Sequence, residues 1–481
     1  MSFLTKIGRY ELSGLLRISS SMSQRLWNSD EPIARLHKID SSRFVSRALK
    51  TVGSTYLTPW FLVDLSYYAI VASNDFNRAQ PNEQDFLSLY NDYLAYDEHL
   101  TTSRYEGHAP EDRLFYILFG LSQKTFWFQE RHRLASMHSR FYDILHELPK
   151  RHMELPLFSF LIEAKYGCDF RAYNMACLAL MWIAVNNISI NFPYNIGAEI
   201  SKMGIDNQLL NTLLEDYITE YGIIRKSTLQ ARELYLTPVV RTSQGELIVS
   251  NAFLVARKAL TNLYWETRFL YREAEGKELN LILGWAFELY VDELLCHFLS
   301  SSNYERIKPS DKKKRADLLI HTKNYDIIVE QKFAMLNISQ QDVIFDLAKV
   351  DAWLESYVRA ASQLVQTESF LGLHNRTVLK LILFFDNLYI ADGLVKDRIM
   401  VILKRTQSPD LSLDNIFMIG IEEFERMVQL MAEDEISLEK VFQEKLRRQK
   451  SRDYSKGVEF SQIMDELSVP QSTYARSRSP F

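Results

Sequence analysis

The chain has 481 residues, 47% of them hydrophobic and 24% charged, which suits a soluble globular protein built as about two or three domains rather than one core. Gly (16) and Pro (12) stand at roughly half their usual frequencies, so a mainly helical chain is expected. A net charge of −5 gives no overall basic excess, and three cysteines (Cys168, Cys177 and Cys296) without a CxxC spacing exclude a disulfide framework or a zinc module and point to a reducing cytoplasm.

Residues 1–29 are rich in Ser and Arg (Arg9, Arg17, Arg25) and faintly resemble a transit peptide, against which Glu11 and Asp30 argue. Residues 30 to 230 read as successive helices. Phe115 to Leu121 and Leu155 to Ala164 are mostly apolar stretches bounded by polar residues. Met175 to Val185 is the longest apolar run, too short to cross ~30 Å of hydrocarbon, and reads as a buried helix. The aromatics here read as core rather than as a base-stacking platform. His132, His138, His146 and His152 lack metal-ligand spacing and are expected on the surface.

From Leu234 the texture changes. Leu234 to Val240 and Leu247 to Val249 flank Ser243-Gln244-Gly245 as a hairpin, with Pro238 expected to confine the first run to a sheet edge. Helices follow over Ala252–Tyr271 and Leu279–Leu299. Two β-like segments, Ala316–His321 and Tyr325–Phe333, precede a long helix over Gln341–Gln366. Val378–Phe385 and Ile416–Gly420 are runs of strand length, with helices over Leu394–Lys404 and Glu422–Ala432. This order describes an α/β domain. The last 40 residues turn basic and polar and are expected to fray from helix into disorder, with the cluster from Lys445 to Arg452 serving solubility.

The chemistry lies in the second pair of β-like segments. With a two-residue turn at Lys323-Asn324, Asp317 and Glu330 each stand six residues from the turn and face one another across an antiparallel ladder. Their Cβ atoms would then lie roughly 4.5–5.5 Å apart. Lys332, two residues beyond Glu330, points to the same face. Leu318, Leu319, Ile320, Ile327, Ile328 and Val329 put apolar groups on both faces, the pattern of buried strands. Two carboxylates placed opposite each other in such strands repel and lose hydration. A hard divalent cation such as Mg²⁺ offsets both costs. The ordinary alternative is a solvated hairpin with Glu330 and Lys332 at its exposed end.

The segment from Arg315 to Phe333 resembles the PD-(D/E)xK superfamily of restriction-endonuclease-like nucleases, as does the order of elements around it. Gly284-Trp285-Ala286-Phe287-Glu288-Leu289-Tyr290 resembles the G-x-x-F-E-x-Y/L helix of large members. Ala316 stands where the family name has Pro. The Gln-x-x-x-Tyr signature of RecB-like members is absent after Lys332; Tyr357 and Gln363 occur there in another arrangement. The resemblance covers about 150 residues and leaves the N-terminal 230 unassigned.

The resemblance implies a nuclease hydrolysing phosphodiester bonds of DNA or RNA with Mg²⁺ (or Mn²⁺). Asp317, Glu330 and the Gln331 carbonyl would hold the ion, Glu288 would touch it or one of its ligands, and Lys332 would stabilise charge on the phosphorane. Lys312, Lys313, Lys314 and Arg315 precede the Asp segment and read either as a solvated loop or as phosphate contacts. His297 and His321 lie near the motif, and His321 shares the face of Asp317; hairpin packing is its ordinary reading. Asp386 reads as a structural cap.

The expected layout is a large helical region over 1–230, a connector with a β-hairpin and helix over 231–274, a restriction-endonuclease-like α/β domain with a small central mixed sheet over 275–432, and a basic tail over 433–481. A nucleic-acid substrate is expected, a membrane is not, and a homo-oligomer or a partner subunit fits the same layout. Helical domains fused to such cores resemble prokaryotic defence proteins against phage, a setting that enters by analogy only. The alternatives are a non-catalytic nucleic-acid-binding or assembly protein with a nuclease-like fold, and an all-helical interaction protein without the hairpin. No Walker loop, GxGxxG or Ser-His-Asp spacing supports other chemistries.

Overall fold

Scarce glycine and proline leave long uninterrupted helices. The computed structural model describes residues 2–28, 58–104, 106, 108–125, 131–190, 204–228, 230–308, 315–333, 347–373, 376–385, 392–405, 413, 415–451 and 459–478. The fold is mostly helical, with one three-stranded and one five-stranded mixed sheet. Two compact units divide it. The first holds residues 1–107, 124–141 and 157–277, and the second holds 108–123, 142–156 and 278–481. The division falls after Lys277, so the 231–274 segment belongs with the helical first unit, while two short stretches of the N-terminal half belong with the second.

In the first unit α1 (Leu12–Trp27), α2 (Pro59–Ala72), α3 (Phe170–Asn186) and α4 (Ala252–Glu275) form the helical core. The Ser- and Arg-rich start is part of it. Leu12, Leu15, Leu16 and Leu26 have no exposed surface, and the buried Ser19 and Ser66 hydroxyls are satisfied by the Leu62 and Ser250 carbonyls at 2.7 and 3.0 Å. The Asn251 side chain caps α4 by accepting from the Phe253 N–H at 2.9 Å. Gly276 ends α4 at φ 63°, a left-handed conformation that costs glycine nothing. His138, expected on the surface, is 3% exposed, because its helix turns that face inward and its Nδ1 reaches the Leu260 carbonyl at 3.0 Å.

The small sheet of this unit contains β1 (Ile218–Glu220), β2 (Val239–Arg241) and β3 (Leu247–Val249), in that order. The hairpin at Ser243-Gln244-Gly245 is present, with Val239 opposite Val249. Pro238 does not confine β2 to an edge. It lies just outside the strand, and β2 is central because β1, not anticipated from the sequence, pairs with it in parallel. The beginning of the expected first run, Glu233–Leu236, is a helical turn.

The second unit carries α5 (Asn280–Phe298), β4 (Tyr304–Arg306), β5 (Leu318–His321), β6 (Tyr325–Lys332), α6 (Leu347–Leu371), β7 (Thr377–Phe384), α7 (Asp392–Arg405) and β8 (Ile416–Gly420). The sheet order is β4-β5-β6-β7-β8. The first three strands form an antiparallel meander, and β7 and β8 continue in parallel. Residues of β6 and β7 alternate between two covered faces. Phe287 of α5 meets Phe333 and Phe385 at 6.2 and 5.6 Å, while Tyr357 of α6 meets Phe384 at 4.7 Å on the other side. Cover on both faces explains the consecutive apolar residues Ile327–Val329 of β6 and the run of β7, interrupted only by Lys380.

Among its described residues the C-terminal segment is helical and packed rather than frayed. It forms α8 (Ile421–Glu433), α9 (Glu435–Ser451), α10 (Phe460–Glu466) and α11 (Tyr474–Ser477). Phe442 of α9 meets Tyr325 of β6 edge-on at 5.2 Å, and Phe460 of α10 meets Phe417 of β8 at 5.8 Å. Lys445, read as a solubility charge, is 1% exposed with its ammonium 4.8 Å from the Phe460 ring centre. Arg448 pairs with Glu444 and Glu466. Lys445, over Phe417 of β8 and Phe460 of α10, and Arg448, paired with Glu466, therefore fasten α9 to its neighbours.

Candidate active site

The hairpin closes where a two-residue turn places it. Leu318 lies opposite Val329 and His321 opposite Asp326, and the Thr322 N–H donates to the Tyr325 carbonyl at 2.9 Å around Lys323-Asn324. Asn324 is not left-handed. The turn is held instead from α9, whose Glu435 carboxylate accepts the Lys323 N–H at 2.8 Å while Glu439 bonds the Asn324 amide.

This register gathers the charged ends of three strands. β4 ends at Arg306, β5 begins just after Asp317, and β6 ends at Lys332. Asp317 is pinned by its backbone on two sides. Its N–H donates to the Val329 carbonyl and its carbonyl accepts from the Ile307 N–H, both at 3.0 Å. Its Oδ2 accepts the Gln331 N–H at 2.6 Å. The preceding Ala316 N–H donates to Thr367 Oγ1 of α6 at 2.9 Å, which anchors the start of β5.

Glu330 is 2% exposed, so the solvated-hairpin alternative does not describe it. Its Oε1 bonds the Lys332 ammonium, while its Oε2 is buried without a hydrogen-bond partner. Burial, followed by the charge of Asp317, pushes the Glu330 carboxyl up to about 8. Burial raises Asp317 to about 6, opposed by the Gln331 N–H and reinforced by Glu288. A carboxylate with one partnerless oxygen beside a second carboxylate is costly to keep ionised without a cation.

Glu288 lies on α5, and its charge acts on both acids. It is paired with Arg306. The guanidinium Nη1 is 3.2 Å from Glu288 Oε2, and its Nε is 2.6 Å from Asp292 Oδ2 one turn further along the helix. Among the described residues no group of three His, Cys, Asp or Glu side chains is assembled for a metal ion. Asp317 and Glu330 by themselves still fit a small hard cation, because both are oxygen donors and Glu330 Oε2 is uncommitted. Gln331 supplies its N–H to Asp317, and its buried side-chain amide has no hydrogen-bond partner.

Other candidate residues fall elsewhere. His321 is at the far end of β5, where it pairs with Asp326 at 2.8 Å. His297 is exposed, with its ring 5.4 Å from that of Tyr474. Arg315 stacks on Phe370, its guanidinium carbon 3.4 Å from the ring centre. Gln363 donates to the Arg315 carbonyl at 3.4 Å. Lys312, Lys313, Lys314 and Asp386 lie outside the described residues.

Arg306 was not anticipated. The one trace of it in the sequence is the acid pair Glu288 and Asp292, four residues apart on one helix face.

Comparison with protein-family models, curated proteins and solved structures found no match for this chain. Among the described residues no helix is long and apolar enough to cross a membrane.

Proposed function

We propose that the chain is a Mg²⁺-dependent nuclease of the restriction-endonuclease-like kind, hydrolysing phosphodiester bonds of DNA or RNA at Asp317, Glu330 and Lys332. The observation that carries this reading is the half-buried Asp317 beside the buried Glu330, with a partnerless Glu330 oxygen and Lys332 alongside. Asp317 and Glu330, with the Gln331 carbonyl, would hold Mg²⁺ or Mn²⁺. The ion would supply Lewis acidity to the phosphate and lower the pKa of a bound water. Lys332 presents a compact ammonium, half-released to solvent at 30% side-chain exposure, to neutralise charge building on the phosphoryl oxygens. The Gln331 N–H and Thr367 hold Asp317 and its strand in place, so the acids do not have to be ordered when substrate arrives.

The decisive experiment incubates the protein with plasmid, single-stranded DNA and tRNA, with Mg²⁺, with Mn²⁺ and with EDTA. Cutting that needs the divalent ion and disappears in D317A, E330A and K332A is the expected result. Cutting at the wild-type rate in any of those variants would end the proposal.

A second reading is a non-catalytic nucleic-acid-binding or assembly protein that keeps such a fold. The closed contact between Lys332 and Glu330 and the pairing of Glu288 with Arg306 favour it. It predicts nucleic-acid binding in EDTA, unchanged in E330Q, with no cleavage under any condition.

A further inference from the structure

Arg306 ends the edge strand β4 opposite Leu318, next to the acid-bearing start of β5. Its planar fork spans one turn of α5. Nε and Nη2 both reach Asp292 Oδ2, at 2.6 and 2.5 Å, and Nη1 reaches Glu288. Asp292 is the anchor, since it takes two of the three contacts, and a rigid fork fixed at Asp292 sets where Glu288 is drawn. The side chains of Glu288 and Arg306 are 37% and 42% exposed, so either can exchange its partner for water. Glu288 is nevertheless close enough to raise both acids, and Arg306 close enough to lower Asp317.

We propose that Arg306, anchored on Asp292, withholds Glu288 from the Asp317–Glu330 pair and thereby holds the site to two carboxylates and a single ion. This rests on the metal-site reading given above. A third carboxylate strengthens cation binding and supplies the extra ligand that a second ion needs, as in two-metal phosphodiesterase sites. Arg306 is thus a positioning residue that sets the affinity and ion count of the centre.

The test is calorimetric titration with Mn²⁺ alone, without nucleic acid, on wild type, R306A, D292N, E288Q and R306A/E288Q, with E330Q as the control on the metal site itself. R306A is expected to bind Mn²⁺ about tenfold tighter or to take a second ion. D292N, which keeps the guanidinium but loses its anchor, is expected to shift the same way by less. The gain should vanish in R306A/E288Q. A gain that persists without Glu288 is a plain charge effect and overturns the proposal, as does an unchanged titration in R306A. Should R306A fail to fold, D292N against E288Q decides the matter. Mn²⁺ binding that survives in E330Q overturns the metal-site reading instead.

Discussion

Gln331 donates its backbone N–H to Asp317 Oδ2 at 2.6 Å, which ties the acid ahead of β5 to the strand bearing Glu330 and Lys332. Asp317 is therefore both a charge and a strut, and two substitutions separate the roles. D317N keeps an acceptor for that N–H and loses the charge; D317A loses both. Each is expected to lower cleavage by roughly 100- to 1000-fold. In urea unfolding D317A should fall below D317N by about 1–3 kcal/mol, the cost of a buried donor left unmade. Equal unfolding midpoints would mean that the bond does not hold the hairpin.

Glu330 trades stability for its position. Its folded-state pKa of about 8 lies above the ordinary carboxylate value of 4.5, chiefly through burial. The sign follows from proton uptake. Between those two values the folded state holds the proton that the unfolded chain has released, so this group's stabilising contribution is complete below about pH 4.5 and lost as pH rises to about 8. E330Q removes the charge but keeps an acceptor for Lys332. Without divalent ions it is expected to be more stable than wild type at pH 8 by up to about 4 kcal/mol, and equal to it near pH 4. Saturating Mg²⁺ should raise the melting temperature of wild type and leave E330Q unmoved. An E330Q protein that melts lower at pH 8 would show that the carboxylate is already well satisfied.

The hairpin and its register were legible because they are local. A two-residue turn at Lys323-Asn324 determines which residues face each other, and Leu318 opposite Val329 follows. The apolar runs Val378–Phe385 and Ile416–Gly420 were legible because strands covered on both faces carry continuous hydrophobicity; they match β7 and β8 within one residue. β1 and β4 were not, since three-residue strands carry no period of their own and exist only through the partners they pair with. Arg306 was hidden for the same reason, as its place beside Asp317 depends on that pairing. The C-terminal helices misled in a different way. Charged residues such as Lys445 and Arg448 look solvated one at a time, and only the aromatic rings and acids of distant elements turn them inward.

Arg398 joins three elements of the second unit. Its side chain is 2% exposed and bonds Asp112 near the start of the helix Pro110–Thr125, Tyr116 Oη at 2.5 Å and Asp351 Oδ2 of α6 at 2.7 Å. Burial, followed by the charge of Asp351, pushes the Tyr116 hydroxyl up, so it stays protonated within the cluster. Removing the cation strands two acids around an apolar wall. R398A is expected to lose roughly 3–5 kcal/mol, the cost of breaking a buried pair from one side. R398M, which fills the space without charge, should lose as much so long as both acids remain, and R398M/D112N/D351N should recover part of it. Denaturant unfolding of the three variants checks this. A loss in R398A no larger than about 1 kcal/mol, the scale of an exposed pair, would show the cluster to be solvated.

His138 makes the first unit acid-sensitive. The ring is 3% exposed, its Nδ1 meets the Leu260 carbonyl at 3.0 Å, and burial pushes its pKa down to about 4. The unfolded chain takes up a proton at an ordinary histidine value near 6.5, before the folded protein does. The stabilising contribution is therefore complete above about pH 6.5 and declines as pH falls toward 4. Between pH 7.5 and pH 5 this residue alone should lower the unfolding free energy by about 2 kcal/mol. In H138Q, which keeps a donor for the Leu260 carbonyl but cannot ionise, that part of the decline should be missing. Urea unfolding of both proteins at the two pH values measures the difference. Parallel declines would assign the acid sensitivity to the carboxylates rather than to this ring.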